Sequence, residues 1–311
     1  MRIVFLGTAD FGIPTLDFLY KKHTIVGVVT TPPRQSGRGR KFTDSPVANH
    51  TRTLTGVPVF TPEVLDDPLF VGQLKELAAD CFVVVAYRLL PQSIFSLPPL
   101  GTINIHASLL PAYRGPAPIH RAIEAGEEVT GVSVFRIDDG IDTGEILRQA
   151  SLQIGKEETT PELYGRLSHL GVATLDRALQ ELEEGKCAPQ QQDHTKTCRA
   201  PKLKKSESII DWNLSARELF NKIRAFKPFP GTVTLKGATR LGIEWATPIE
   251  QTGSAARACG TITSVTGECF NVQTGSGLLR VVSVKPEGKK TMAVSDYLRG
   301  TELREGMKFN E

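Results

Sequence analysis

Cysteine, methionine and tryptophan are scarce in this chain of 311 residues, which holds five, three and two of them. The cysteines are odd in number and form no Cys-x-x-Cys pair, which argues against a disulfide-stapled scaffold and for a reducing compartment. Cys187, His194 and Cys198 stand close together, but the paired ligand spacing of a zinc site is missing, so no metal is expected. Also missing is any uninterrupted apolar run long enough to span a bilayer. No N-terminal stretch joins a charged start to an apolar run and a small-residue cleavage site. A soluble cytoplasmic protein, without membrane contact, is the expectation.

An excess of one charge is missing as well. A net charge of +3 does not by itself announce a nucleic-acid binder, so the distribution has to speak. It is uneven. No carboxylate lies between Asp17 and Asp44, while "RQSGRGRK" holds Arg34, Arg38, Arg40 and Lys41. "KTCRAPKLKK" holds Lys204 and Lys205, and Lys289 and Lys290 cluster near the C-terminus. Such runs are more commonly solvated faces or linkers than binding surfaces.

What is abundant is short runs of Val, Ile and Phe. "RIVFLG", "HTIVGVV", "CFVVVAY" and "TINIHA" suit strands covered on both faces, and "DFGIPTLDFLYKK" and "DPLFVGQLKELAAD" between them carry apolar residues at helical spacing. The repeated βαβ pattern predicts an α/β fold with a Rossmann-like, open and mostly parallel sheet. "PELYGRLSHLGVATLDRALQELEEG" reads as a long amphipathic helix with Pro161 near its start and Gly185 past its end. From Gly231, strand-like runs "GTVTL", "CGTITSV", "CFNVQT" and "LLRVVSV" alternate with Gly-containing turns and predict a small β-barrel. The expected boundaries are a catalytic domain over 1–189, a linker over 190–207 and a second domain over 208–311.

The first βα turn, "GTADFG", is a weak match to the dinucleotide fingerprint, because Ala9 stands where the middle glycine would let the backbone approach a phosphate. A tight turn feeding a helix is the better reading. Chemistry is expected instead at the carboxyl end of "TINIHA", where Asn104, His106 and Ser108 stand and where open α/β sheets collect ligands. Downstream, "FRIDDGIDTGE" offers Asp138, Asp139 and Asp142. A carboxylate on one imidazole nitrogen would orient the ring and favour its protonated form, leaving the other nitrogen to face a reacting group. A neutral amide beside it supplies donors for a developing oxyanion. Ser108 has no G-x-S-x-G elbow around it. The set suggests acyl transfer to an external nucleophile, against the alternative of a hydrogen-bonded structural histidine.

"NIHASLLPAYRGPAPIHRAI" together with "DDGIDTGEIL" resembles the signature of the folate-dependent formyltransferases. The resemblance runs through "CFVVVAYRLLP", "SGRGRKFTDSPV", "IIDWNLSARELFNKIRAFKPFPG" and "PEGKK", nearly the whole chain. It implies Asn104, His106 and Asp142 as the catalytic group and 10-formyltetrahydrofolate as formyl donor, with no metal. It also implies folate contacts from Tyr87, Arg88 and Leu89 and from Ser108, Leu109, Leu110 and Pro111, and an OB-like C-terminal barrel that helps hold tRNA. The family usually has glycine where Arg88 stands, in a loop expected to line the pterin pocket.

Members of that family that act on tRNA carry a basic insertion after their second strand, and "TPPRQSGRGRKF" occupies that position. The implied acceptor is therefore the amino group of initiator methionyl-tRNA, clamped by Arg34, Arg38, Arg40, Lys41, Lys204, Lys205, Lys289 and Lys290 of a monomeric enzyme. The alternatives are a small amine, such as glycinamide ribonucleotide or an amino-sugar nucleotide, or a noncatalytic RNA-binding protein on the same scaffold.

Overall fold

The computed structural model describes residues 1–36, 41–250 and 257–311. Its chain lays down β1 (Arg2–Gly7), α1 (Ile13–Lys22), β2 (Thr24–Val29), a hairpin of β3 (Arg34–Ser36) and β4 (Lys41–Thr43), α2 (Pro46–Thr51) and β5 (Val59–Phe60). Next come α3 (Pro68–Glu76), β6 (Cys81–Val85), α4 (Gln92–Phe95), β7 (Thr102–His106), α5 (Pro118–Ala125), β8 (Val129–Arg136), β9 (Ile146–Gln153) and the long α6 (Thr160–Glu183). The remainder is α7 (Ala216–Ala225), β10 (Val233–Lys236), β11 (Thr239–Ile249), β12 (Ile262–Val265), β13 (Phe270–Gln273), β14 (Leu278–Pro286), β15 (Met292–Ala293) and α8 (Val294–Gly300).

Contacts divide the chain into two units. The first is Met1–Pro118, Val129–Gln153 and Tyr164–Ala200, and the second is Ile119–Glu128, Ile154–Leu163 and Pro201–Glu311. The first unit is built on a sheet of order β5-β2-β1-β6-β7-β8-β9. The strands from β5 to β7 run parallel, and β8 and β9 are antiparallel additions at one edge. The continuous apolar runs explain the parallel part: every residue of β6 is buried, as is β1 beyond Arg2. Val4, Leu6, Val29, Phe82 and Val84 pack with Leu74 and Ile94 into one core on this sheet.

The first βα turn is filled by the protein's own groups. The Phe11 amide donates to Tyr164 Oη at 2.8 Å, and that hydroxyl donates to Asp10 at 2.5 Å. A Cβ at Gly7 would stand 2.7 Å from the Phe5 ring and 3.0 Å from the Val85 carbonyl, so glycine there serves close strand packing.

In the second unit, β10, β11, β14, β13 and β12 form an antiparallel sheet in that order, with β15 on β14: an OB-like half-barrel. Its core holds Trp212, Phe220, Ile243, Phe270, Val281 and Phe309, with the Trp212 and Phe309 rings stacked at 5.9 Å. The longest strand, β11, is absent from the sequence expectation because it contains Gly242 and Pro248. Register shifts between Ile243 and Ala246 let it pair along β14 regardless.

Candidate active site

Alternation along β7 decides which side chains reach the site. Ile103 and Ile105 are buried in the sheet, and Asn104 and His106 belong to the opposite set. The strand ends at His106, and the chain turns through Ser108–Gly115 beside the loop that joins β8 to β9. These two loops bracket the imidazole. Asp142 Oδ2 lies 3.6 Å from His106 Nδ1, and His106 Nε2 donates to the Tyr113 carbonyl at 2.9 Å. The sequence reading left the second nitrogen facing a reacting group. In the structure it is spent on a backbone carbonyl, which can only accept, so Nε2 carries a hydrogen and the lone pair of the neutral ring is at Nδ1. Of the three acidic candidates, Asp142 is the one paired with His106. Asp138 instead caps its own loop, accepting from the Gly140 amide and the Thr143 hydroxyl.

Both residues that contact the ring hold the left-handed backbone region, Tyr113 at φ +59 and Asp142 at φ +54. Such positions persist only where the surroundings over-determine them. Asp142 Oδ2 also accepts from the Gly115 amide at 2.8 Å, which ties its carboxylate to the Tyr113 loop. Asn104 is half-buried, and its Oδ1 is buried without a hydrogen-bond partner among the described residues. A buried acceptor left open in this way calls for a donor from outside the chain.

The residues expected to touch folate divide into two kinds. Ser108 and Leu110 are buried: the Ser108 hydroxyl donates to the Ala112 carbonyl at 2.7 Å, and Leu110 packs with Phe135 and Ile146. Ser133 donates to the Ser108 carbonyl and accepts from the Leu110 amide, and Gln149 donates to the Leu110 carbonyl, so this loop is pinned from β8 and β9. Leu109, Pro111, Tyr87 and Arg88 are half-exposed, and Leu89 is exposed. Arg88, which stands where glycine was expected, adopts no positive φ; the left-handed residue of its loop is Ala86, at φ +50. Its guanidinium donates to the carbonyls of Glu63 at 3.0 Å and Pro62 at 2.5 Å and lies over the Tyr87 ring. Burial pushes the Tyr87 phenol above its usual range, an effect the neighbouring guanidinium opposes.

The basic candidates are on the surface. Arg34 and Lys41 lie on the β3–β4 hairpin, where Phe42 is 71% exposed, and Lys204, Lys205, Lys289 and Lys290 are exposed in the second unit. Arg38 and Arg40 lie outside the described residues. Of the two cysteines and the histidine noted in sequence, Cys198 and His194 have protein partners. Cys198 Sγ accepts from the Tyr113 amide at 3.1 Å, and His194 Nδ1 accepts from the Arg114 guanidinium. Sequence reading missed Gln192, buried at 5% exposure, which donates to the carbonyls of Asp142 and Gly144 and accepts from Arg114. It stands in the polar run "QQQD", whose composition gives no sign of burial. No helix of the described residues is long and apolar enough to cross a membrane.

Residues 1–179 match the family described as "Formyl transferase", and residues 202–302 match "Formyl transferase, C-terminal domain". Among solved structures, an N-formyltransferase from Helicobacter canadensis, in complex with folinic acid and dTDP-3-aminofucose, aligns at TM-score 0.66 and 18% identity. The alignment covers 90% of this chain and 98% of that one. A methionyl-tRNA formyltransferase from Clostridium thermocellum aligns at TM-score 0.55 and 19% identity, covering 89% and 100%. At these identities the likeness concerns the fold. A methionyl-tRNA formyltransferase from Geobacter metallireducens is 38% identical over 311 residues, 99% of this chain and 98% of its own. With identity of that level over 99% of the chain and both of its regions matched by formyl transferase models, the chain belongs to the methionyl-tRNA formyltransferase family.

Proposed function

We propose that this protein transfers the formyl group of 10-formyltetrahydrofolate to the α-amino group of initiator methionyl-tRNA. The observation that carries the reading is His106 held between the Asp142 carboxylate and the Tyr113 carbonyl, next to an Asn104 with an open buried acceptor. The folate co-substrate supplies the formyl carbon and leaves as tetrahydrofolate. Asn104 fits such reactants: its open Oδ1 receives an N–H of the attacking amine, and its Nδ2 donates to the oxygen that becomes negative during attack.

The amine must be free base to attack. As its nitrogen bonds to the formyl carbon, its proton passes to His106 Nδ1, the ring's open lone pair, and the resulting imidazolium is stabilised by Asp142 at 3.6 Å. Collapse breaks the bond to N10 of the folate, and His106 returns the proton there. One C–N bond forms, one breaks and the proton count closes. Residues 108–111 and 87–89 would hold the folate, the former through a backbone pinned by Ser133 and Gln149. Arg34, Lys41, Lys204, Lys205, Lys289 and Lys290, with Arg38 and Arg40, would meet tRNA phosphates.

The decisive assay offers the purified protein 10-formyltetrahydrofolate with charged initiator tRNA, glycinamide ribonucleotide or an amino-sugar nucleotide. The expected product is formylmethionyl-tRNA alone. Formylation of a small amine with tRNA untouched overturns the reading.

A further inference from the structure

We infer that Gln192 is a positioning residue for formyl transfer, joining the loop that carries Asp142 to the loop whose carbonyl holds His106; the inference rests on the reaction proposed above. The Gln192 Nε2 donates to the Asp142 carbonyl at 3.0 Å and to the Gly144 carbonyl at 2.7 Å. Its Oε1 accepts from Arg114 Nη2 at 2.6 Å and Nε at 3.2 Å. Chemistry fixes this orientation, since two carbonyls require the NH2 end and a guanidinium requires the oxygen. Both donors and both lone pairs of one buried amide are therefore used on the two loops that bracket the imidazole.

Asp142 and Tyr113 both carry positive φ and lie beyond the paired residues of β7, β8 and β9. The chain around Gln192 adds a further hold on both loops. Gln190 and Ile146 exchange backbone hydrogen bonds at 2.8 Å, Arg114 N donates to the Cys198 carbonyl, and Ala200 N donates to the Arg114 carbonyl at 2.7 Å. Gly115, at φ +121, is so close to this segment that a Cβ there would lie 2.8 Å from the Ala200 oxygen. Residues 190–200, expected from composition to be linker, thus run as a strap along both catalytic loops, and Gln192 is its buried contact with Asp142. Without the amide, the Asp142 carbonyl and the Arg114 guanidinium lose a shared partner, and the Gly115 amide is left to hold the carboxylate near His106.

The test is Gln192→Glu, which keeps size and a partner for Arg114 but replaces the donors to the two carbonyls with a repelling oxygen. Turnover is expected to fall about 100-fold, the scale of a misplaced catalytic group. The Michaelis constants for folate and tRNA are expected to stay within about twofold, because no substrate contact is removed. A structural role alone would not move the third readout, the nitrogen chemical shifts of the His106 ring followed by NMR, which report whether Nδ1 still faces a carboxylate. With the Asp142 carboxylate displaced, the Nδ1 signal is expected to move. Arg114→Lys, at a half-exposed site, loosens the same bridge from the other side and is expected to shift turnover and the ring signals in the same directions by less. It decides the matter if Gln192→Glu does not fold. Unchanged turnover and unchanged His106 ring signals in a folded variant overturn the proposal. Should the unmodified protein prefer a different amine, the same comparison is made with that amine, and the NMR arm stands without any acceptor.

Discussion

At the residue scale, the roles proposed for Asn104 and Asp142 separate by when their interactions are made. In the proposed reaction Asn104 Nδ2 faces charge that exists mainly in the transition state, so Asn104→Ala is expected to lower turnover roughly 100- to 1000-fold while leaving folate affinity nearly unchanged. Near-normal turnover would remove Asn104 from the reaction. Asp142→Asn keeps an oxygen for the Gly115 amide but removes the charge that supports the imidazolium, so it is expected to fold normally and lose activity. Asp139→Asn is its control, and damage there in place of position 142 would show that the wrong carboxylate is assigned. The pairing of His106 with Asp142 was legible in sequence as a candidate because a histidine at a strand end and a later acidic loop carry an identifiable chemistry. Gln192 was not, because a glutamine's function here comes from burial, and burial of one polar residue among four leaves no periodic trace. Nor did sequence show that Tyr113 takes one imidazole nitrogen, since that bond is made by a backbone carbonyl.

At the element scale, strands buried on both faces declared themselves through unbroken apolar runs, as at β6, and α6 through its period and Gly185, at φ +66 beyond its end. Elements broken by turn residues did not: β11 carries Gly242 and Pro248, and its pairing is set by β14 across a long sequence separation. The short α5 supplies a prediction of its own. Its apolar residues Ile119, Ala122 and Ile123 are buried, and burial of His120 on the same helix lowers that imidazole from 6.5 to about 4, with Arg121 acting in the same direction. Between those two values the unfolded chain binds a proton that the folded chain refuses. The contribution of His120 is therefore fully present above pH 6.5 and is lost as pH falls toward about 4. His23, also lowered, first by burial and then by the N-terminal ammonium, acts with the same sign, so the wild-type slope alone does not isolate His120. Urea midpoints of wild type and His120→Gln, compared at pH 7 and pH 5, do: the gap between them is expected to change in favour of the variant at the lower pH. A gap independent of pH would show that the His120 ring is solvated.

At the scale of the whole molecule, the question is how a protein of net charge only +3 selects a polyanion. The answer expected from the charge map is local concentration: Arg34 and Lys41 on an exposed hairpin of the first unit, and Lys204, Lys205, Lys289 and Lys290 on the surface of the second. Each cation that neutralises a phosphate of the tRNA stem releases counterions, which steepens the fall of affinity with salt by about 0.9 in log-log slope. Replacing Arg34 and Lys41 together by alanine is therefore expected to flatten the salt dependence of the apparent affinity for charged tRNA by about two units if both contact phosphate. Folate binding, to which neither residue is assigned, is expected to stay unchanged. Replacing Lys204 and Lys205 makes the same measurement in the other unit. If one tRNA engages both units at once, the two losses of slope add in the fourfold variant, because sites without shared partners contribute independently. A hairpin that merely closes over a small acceptor behaves differently, raising the Michaelis constant for an amine without phosphate and leaving the tRNA salt slope where it was. Phe42, exposed on that hairpin opposite Gln35, separates the contributions further. Phe42→Ala is expected to weaken tRNA binding with no change of slope, since an aromatic ring that stacks on a base displaces no counterion. Equal slopes in all of these variants would refute the assignment of the basic clusters to tRNA.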